Sequence, residues 1–85
     1  MARIIDFNKS NIVGKNIRAL RKKNKMSQQI LSTKLELIGV YICRGSVSRI
    51  EDGLRTVTDI ELFALARVLG VEISALYAGT EELFE

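Results

Sequence analysis

Apolar residues recur at a helical period through nearly the whole chain, and this regularity restricts the fold more than any single motif does. Val13, Ile17 and Leu20 fall at i, i+4 and i+7. Leu31, Leu35 and Ile38 repeat that spacing, and Leu62, Leu65, Ala66 and Leu69 mark a third stripe. Strict alternation never persists, so strands are not expected beyond the first ten residues.

Helix starts are written in the caps. Ser27 is a good N-cap, with Met26 before it and Leu31 at the fourth helical position as a hydrophobic staple. Thr58 repeats the device with Val57 and Leu62, and Thr58 with Glu61 makes a capping box. Ile42 and Val47 bracket Cys43 in the same way, Val71 and Leu76 bracket Glu72, and Ser10 is the expected cap of the first helix. Gly39, Gly53 and Gly70 stand where a left-handed residue would end a helix, whereas the first helix is expected to stop near Asn24–Lys25 without one. The pattern predicts an all-α, compact five-helix domain, with helices over 11–24, 28–38, 44–52, 59–69 and 73–78. Residues 1–10 form an N-terminal arm, 11–78 the domain and 79–85 a C-terminal tail. Each helix is too short to persist alone, so a shared core must hold them.

Composition removes several classes of function. Histidine is absent and Cys43 is the only cysteine, which excludes an internal disulfide, a Cys/His zinc site and His-dependent nucleophilic catalysis within one chain. The acidic pairs Glu51–Asp52 and Glu81–Glu82 are adjacent residues facing different ways, so neither a metal site nor any cofactor is expected, and no enzyme activity. No apolar run approaches the roughly 18–20 residues needed to span a bilayer, and the N-terminus lacks a secretory apolar stretch. A cytoplasmic protein without membrane contact is expected. The formal charge of +3 conceals an asymmetry: residues 1–50 carry eleven Lys/Arg against Asp6 and Glu36, while residues 51–85 carry Arg55 and Arg67 against eight acids. One end of the molecule is thereby suited to a polyanion, although two differently charged solvated faces give the same count.

The second and third helices, joined by Gly39-Val40-Tyr41-Ile42-Cys43, form a helix-turn-helix candidate. With Val47 at zero on a wheel of about 100° per residue, Val47, Ile50 and Leu54 form the inward stripe of the third helix. The opposite arc holds Gly45, Ser48 and Arg49, with Arg44 on its flank. Arginine bonds guanine bidentately in a major groove and serine donates or accepts there, while Gly45 admits close approach of a backbone. A surface helix with two solvated arginines fits the same wheel.

Four ordered blocks carry a more specific signal. Ile17-Arg18-Ala19-Leu20-Arg21-Lys22-Lys23, Met26-Ser27-Gln28, Ser46-Val47-Ser48-Arg49-Ile50-Glu51-Asp52-Gly53 and Leu65-Ala66-Arg67-Val68-Leu69-Gly70-Val71 together resemble the phage-repressor or xenobiotic-response-element (Cro/repressor-like) helix-turn-helix family. The resemblance runs from about Val13 to Tyr77 and implies a lambda-repressor-like fold that binds double-stranded DNA. By that resemblance Arg44, Gly45, Ser48 and Arg49 face bases. Gln28 touches a phosphate and braces the reading helix, Ser46 lies nearer the DNA backbone, and Arg55 with the amides around Gly53 grips phosphate. Arg21 and Glu51 match a family pair tying helix 1 to helix 3, and a carboxylate near a helix C-terminus wants a cation, so a salt bridge is expected. Departures are equally plain: the segment from Leu35 to Ile50 is longer than usual, Cys43 replaces a Ser/Thr cap, Lys25 a glycine and Asp52 an asparagine.

Cys43 suggests either a thiol activated by a helix N-terminus or a half-buried structural cysteine, the second being preferred. Ile4, Ile5 and Phe7 suit packing on the core or across a dimer, and Leu83 and Phe84 with Leu76 and Tyr77 form a similar surface. A homodimer through the acidic C-terminal half is expected, presenting two reading helices to half-sites about 34–36 Å apart. The leading function is a sequence-specific transcriptional regulator, a repressor by preference. A protein-interaction module, such as an antitoxin or adaptor with a protein partner, is the alternative.

Overall fold

The computed structural model describes residues 8–84, so Ile4, Ile5 and Phe7 lie outside the described residues, as does the side chain of Phe84. Four α-helices follow one another: α1 (Gly14–Lys23), α2 (Gln28–Leu37), α3 (Arg44–Glu51) and α4 (Asp59–Leu69). Two short 3-10 turns, Ile73–Tyr77 and Glu81–Phe84, complete the regular structure, and among the described residues no strand occurs.

The caps explain most boundaries. Ser27 Oγ accepts from the Ile30 N–H at 3.0 Å. The Thr58–Glu61 box closes from both sides: Thr58 Oγ1 accepts from Glu61 N at 3.1 Å and Glu61 Oε1 accepts from Thr58 N at 2.9 Å. Gly70 ends α4 in the left-handed region at φ 71°. Two expectations about α1 need correcting. It begins three residues late, because the Asn11 side chain, and not Ser10, takes up the free amides: Asn11 Oδ1 accepts from Val13 N at 3.1 Å and Gly14 N at 2.8 Å. Its end does contain a left-handed residue, Lys25 at φ 57°. There the Met26 amide reaches back to the Arg21 carbonyl (3.1 Å) and the Lys25 amide to that of Lys22 (2.9 Å), the Schellman arrangement.

The expected fifth helix is a 3-10 turn. Asn16 Nδ2 donates to the carbonyls of Leu76 (2.8 Å) and Ala78 (2.9 Å), tying them to α1 while the Leu76 side chain is completely buried in the core. Leu76 is therefore no part of an exposed C-terminal surface. The core joins Ile17 of α1, Leu31 and Leu35 of α2, Ile50 of α3 and Leu65 of α4, each 1% exposed or less. α3 packs on both α1 and α2, and α4 packs on α1 and α2 from another side.

Gly14 permits the tightest of these approaches. A Cβ there would fall inside the van der Waals envelope of the Ile50 carbonyl oxygen and press on that of Glu51. α1 thus starts directly against the end of α3, where no side chain fits.

Candidate nucleic-acid interface

α3 is seated by its apolar edge. Val47 and Ile50 are each 1% exposed, and Ile42, just before the helix, is buried beside them. Leu54 departs from the expected inward stripe: it is 58% exposed. The helix stops at Glu51 and Gly53 turns at φ 75°, so the wheel loses its phase before residue 54.

The outer arc of α3 is open. Arg44, Gly45 and Arg49 are exposed, and Ser46 and Ser48 are half-buried. A Cβ on Gly45 would meet nothing within 4 Å, so no packing inside the domain requires a glycine there. Cys43 occupies the N-cap and is exposed, not half-buried as the sequence suggested. Its Sγ lies 3.4 Å from Ser46 Oγ, and that hydrogen bond lowers the thiol pKa.

The inner end of α3 is fixed by one carboxylate. Arg21 Nε donates to Glu51 Oε2 at 2.6 Å and Arg21 Nη2 donates to Glu51 Oε1 at 3.0 Å. Gln28 Nε2 adds a third bond to Oε1 at 3.1 Å, so α1, α2 and α3 meet at Glu51. The Glu51 hydrogen bonds raise the Arg21 pKa further against desolvation, and Arg21 Nη1 also holds the Met26 carbonyl at 2.8 Å. Both charged side chains are nearly sealed, at 9% and 1% exposure. With its charge partnered and its oxygens bonded, the pair fixes geometry, whereas removing one member would strand the other.

The loop after α3 is less free than the resemblance implied. The Gly53 amide donates to the Ile50 carbonyl and the Leu54 amide to that of Arg49, so both close the helix end. Arg55 is held by Glu61: Nη1 to Oε1 at 3.0 Å and Nη2 to Oε2 at 2.8 Å, with Nη1 also on the Thr56 carbonyl. That guanidinium holds the Glu61 carboxyl below the ordinary carboxylate range.

Several positions that shape this region escaped the sequence reading. Asn11 Nδ2 donates to the carbonyls of Ile50 (3.0 Å) and Arg55 (2.8 Å), clamping the loop from both ends. The Ser10 amide donates to the Gly53 carbonyl at 2.7 Å, and Lys9 Nζ caps that of Asp52 at 2.9 Å. Gly14 had one available signal, a glycine inside a helical stripe. The others act through contacts far apart in sequence.

Residues 17–76 match the helix-turn-helix family. No curated protein matches the chain in sequence. Among solved structures, the restriction-modification controller protein C.AhdI from Aeromonas hydrophila is similar at TM-score 0.67 and 28% identity, over 75% of this chain and 89% of that one. The DNA-binding domain of BldD gives 0.66 at 25% identity, over 85% of this chain and 97% of that domain. Hydroxypropylphosphonic acid epoxidase from S. wedmorenis gives 0.67 at 26% identity over 80% of this chain but only 34% of its own, so its catalysis does not transfer. The seated α3, its bare outer arc and a family match over most of the sequence agree: the chain belongs to the helix-turn-helix family of the phage-repressor, or xenobiotic-response-element, type.

Proposed function

We propose that the protein is a sequence-specific double-stranded-DNA-binding transcriptional regulator, a repressor, which lays α3 in the major groove. One observation carries this reading: Val47 and Ile50 are buried while Gly45 and Arg49 are left exposed on the opposite side of the same helix, with Arg44 exposed on its flank. Arg44, Gly45, Ser48 and Arg49 read base edges in this account. Gln28 and Ser46 set the helix against the DNA backbone, and Arg55 contributes charge from the loop, tempered by Glu61. Gly53 acts through the shape of the turn, since its amide is engaged. No step of this function needs a cofactor, a metal or bond chemistry, and the reading places the protein in the cytoplasm; no helix among the described residues is long and apolar enough to cross a membrane.

A homodimer belongs to the proposal. Each chain carries a single reading helix, α3, and successive half-sites lie about 34–36 Å apart, so a second copy is needed to read two of them. C.AhdI, a controller protein by name, and the BldD DNA-binding domain are the relatives that favour regulation over other uses of the fold.

Selection from random duplex DNA across a salt series tests the reading. A short, two-fold symmetric motif should be enriched, with affinity falling by about 0.9 log units per tenfold rise in salt for each phosphate neutralised. Arg49→Ala should relax base choice at one position per half-site, at a cost of about 1–3 kcal/mol. Lys22→Ala should weaken all sequences alike or none. Failure to enrich any motif refutes the proposal.

A further inference from the structure

We propose that the outer face of α4 is a self-complementary docking surface for a second copy of this chain, the two α4 helices lying antiparallel with Phe63 at the two-fold axis. The inference deepens the dimer reading above and rests on it for its purpose, but its test needs no DNA.

At about 100° per residue, Asp59, Phe63, Arg67 and Ile60 fall within roughly one quadrant of α4. Ala64, Leu65, Ala66 and Leu69 occupy the arc turned to the core. Ile60 is 66% and Phe63 59% exposed, whereas Ala64, Leu65, Ala66 and Leu69 of the same helix are buried. They border a shallow groove completed by Ile38 and Val40 from the end of α2 and the turn after it. A ridge and a groove of apolar atoms lie side by side, the form an isologous contact requires. Contiguous apolar surface of this kind marks an interaction site.

The charges choose the occupant and its direction. Asp59 lies four residues before Phe63 and Arg67 four residues after it. In an antiparallel pair centred on Phe63, each Asp59 therefore faces Arg67 of the other copy, and both contacts are attractive. A parallel pair would set Asp59 against Asp59 and Arg67 against Arg67. Among the described residues neither Asp59 nor Arg67 has an ion-pair partner within the chain. The extended α2–α3 segment, the chief departure from the family's spacing, supplies one wall of the groove.

Sedimentation equilibrium of the purified chain distinguishes the possibilities. Wild type should self-associate, while Asp59→Arg and Arg67→Asp, each alone, set like charges at both contacts and should weaken association by at least about tenfold. An equimolar mixture of the two variants should form a heterodimer. At one contact the introduced arginine then faces the introduced aspartate, and at the other the native Arg67 of the first variant faces the native Asp59 of the second. Far-UV circular dichroism checks that each variant is folded, and Phe63→Glu, which leaves the helix ends untouched, should also be monomeric. A monomeric wild type overturns the proposal. Variants that associate like wild type, or a mixture that stays monomeric, also overturn it. Enrichment of a DNA motif by a monomeric chain would sink the docking surface and leave the DNA reading intact, and the converse result would do the reverse.

Discussion

Gly45→Ala separates stability from function in a single methyl group. Gly45 lies in the first turn of α3, is exposed, and has nothing within 4 Å of the position a Cβ would take. Within the free protein the substitution therefore meets no obstacle, and it restricts the unfolded chain. Glycine in a helix costs about 0.5–1 kcal/mol relative to alanine. A domain of this size gains roughly 4–8 °C in Tm per kcal/mol, so the variant should melt about 2–8 °C higher by circular dichroism. If α3 docks as proposed, the same methyl would stand on the reading arc, where close approach to DNA would account for the glycine. Affinity for the selected duplex, measured by fluorescence anisotropy, should fall by roughly tenfold or more, equivalent to about 1.4 kcal/mol. A lower Tm would refute the packing argument. A higher Tm with unchanged affinity would refute the orientation of α3 and, with it, the assignment of the outer arc to DNA.

The other predictions concern how the reading helix is held. Glu51→Gln should cost about 3–5 kcal/mol in urea denaturation, since it leaves the nearly sealed Arg21 guanidinium without a countercharge; Gln28→Ala, which removes one neutral donor, should cost about 1 kcal/mol. Lys25→Gly relieves a side chain held at φ 57° and should raise stability by about 1 kcal/mol, visible as a higher urea midpoint with an unchanged slope. The Glu61 carboxyl is depressed in the folded state by Arg55, so its contribution is present above its ordinary value of 4.5 and is lost as the pH falls through the lower folded value. Stability measured from pH 6 downward should drop in that acid window, and Glu61→Gln should flatten this part of the profile.

What the sequence made legible was either local or periodic. Thr58 and Glu61 are three residues apart and bond each other's backbone, so their box is visible without knowledge of the fold. Val47 and Ile50 are fixed by the helical period, and Ser27 by its flanking apolar pair. Misreadings arose where a helix ended or a distant segment intervened. Leu54 sits on the same wheel stripe as Val47, but the turn at Gly53 breaks the period before it. Cys43 is exposed because its neighbour Ile42 takes the buried place. Asn11 serves three purposes at once: it caps α1, holds the end of α3 and pins the loop at Arg55, and its partners lie 39 and 44 residues away. Arg55 looks free for phosphate in the sequence because nothing local shows that Glu61, already committed to a cap, has a second edge to offer. The site itself followed a similar division. The outer arc of α3 came from periodicity, whereas the engagement of the Gly53 amide depends on how the helix closes.

The meeting of three helices on the Glu51 carboxylate also limits how such a reader can be switched. Tilting α3 would strain the bonds of Glu51 to Arg21 and Gln28 together and move the Ile50 and Glu51 carbonyls against Gly14, where there is no room even for a Cβ. A stiff fingertip of this sort does not turn off by bending. An inducer that re-angled the helix would first have to break the Arg21–Glu51 and Gln28–Glu51 bonds, whereas one that covered the exposed arc would not.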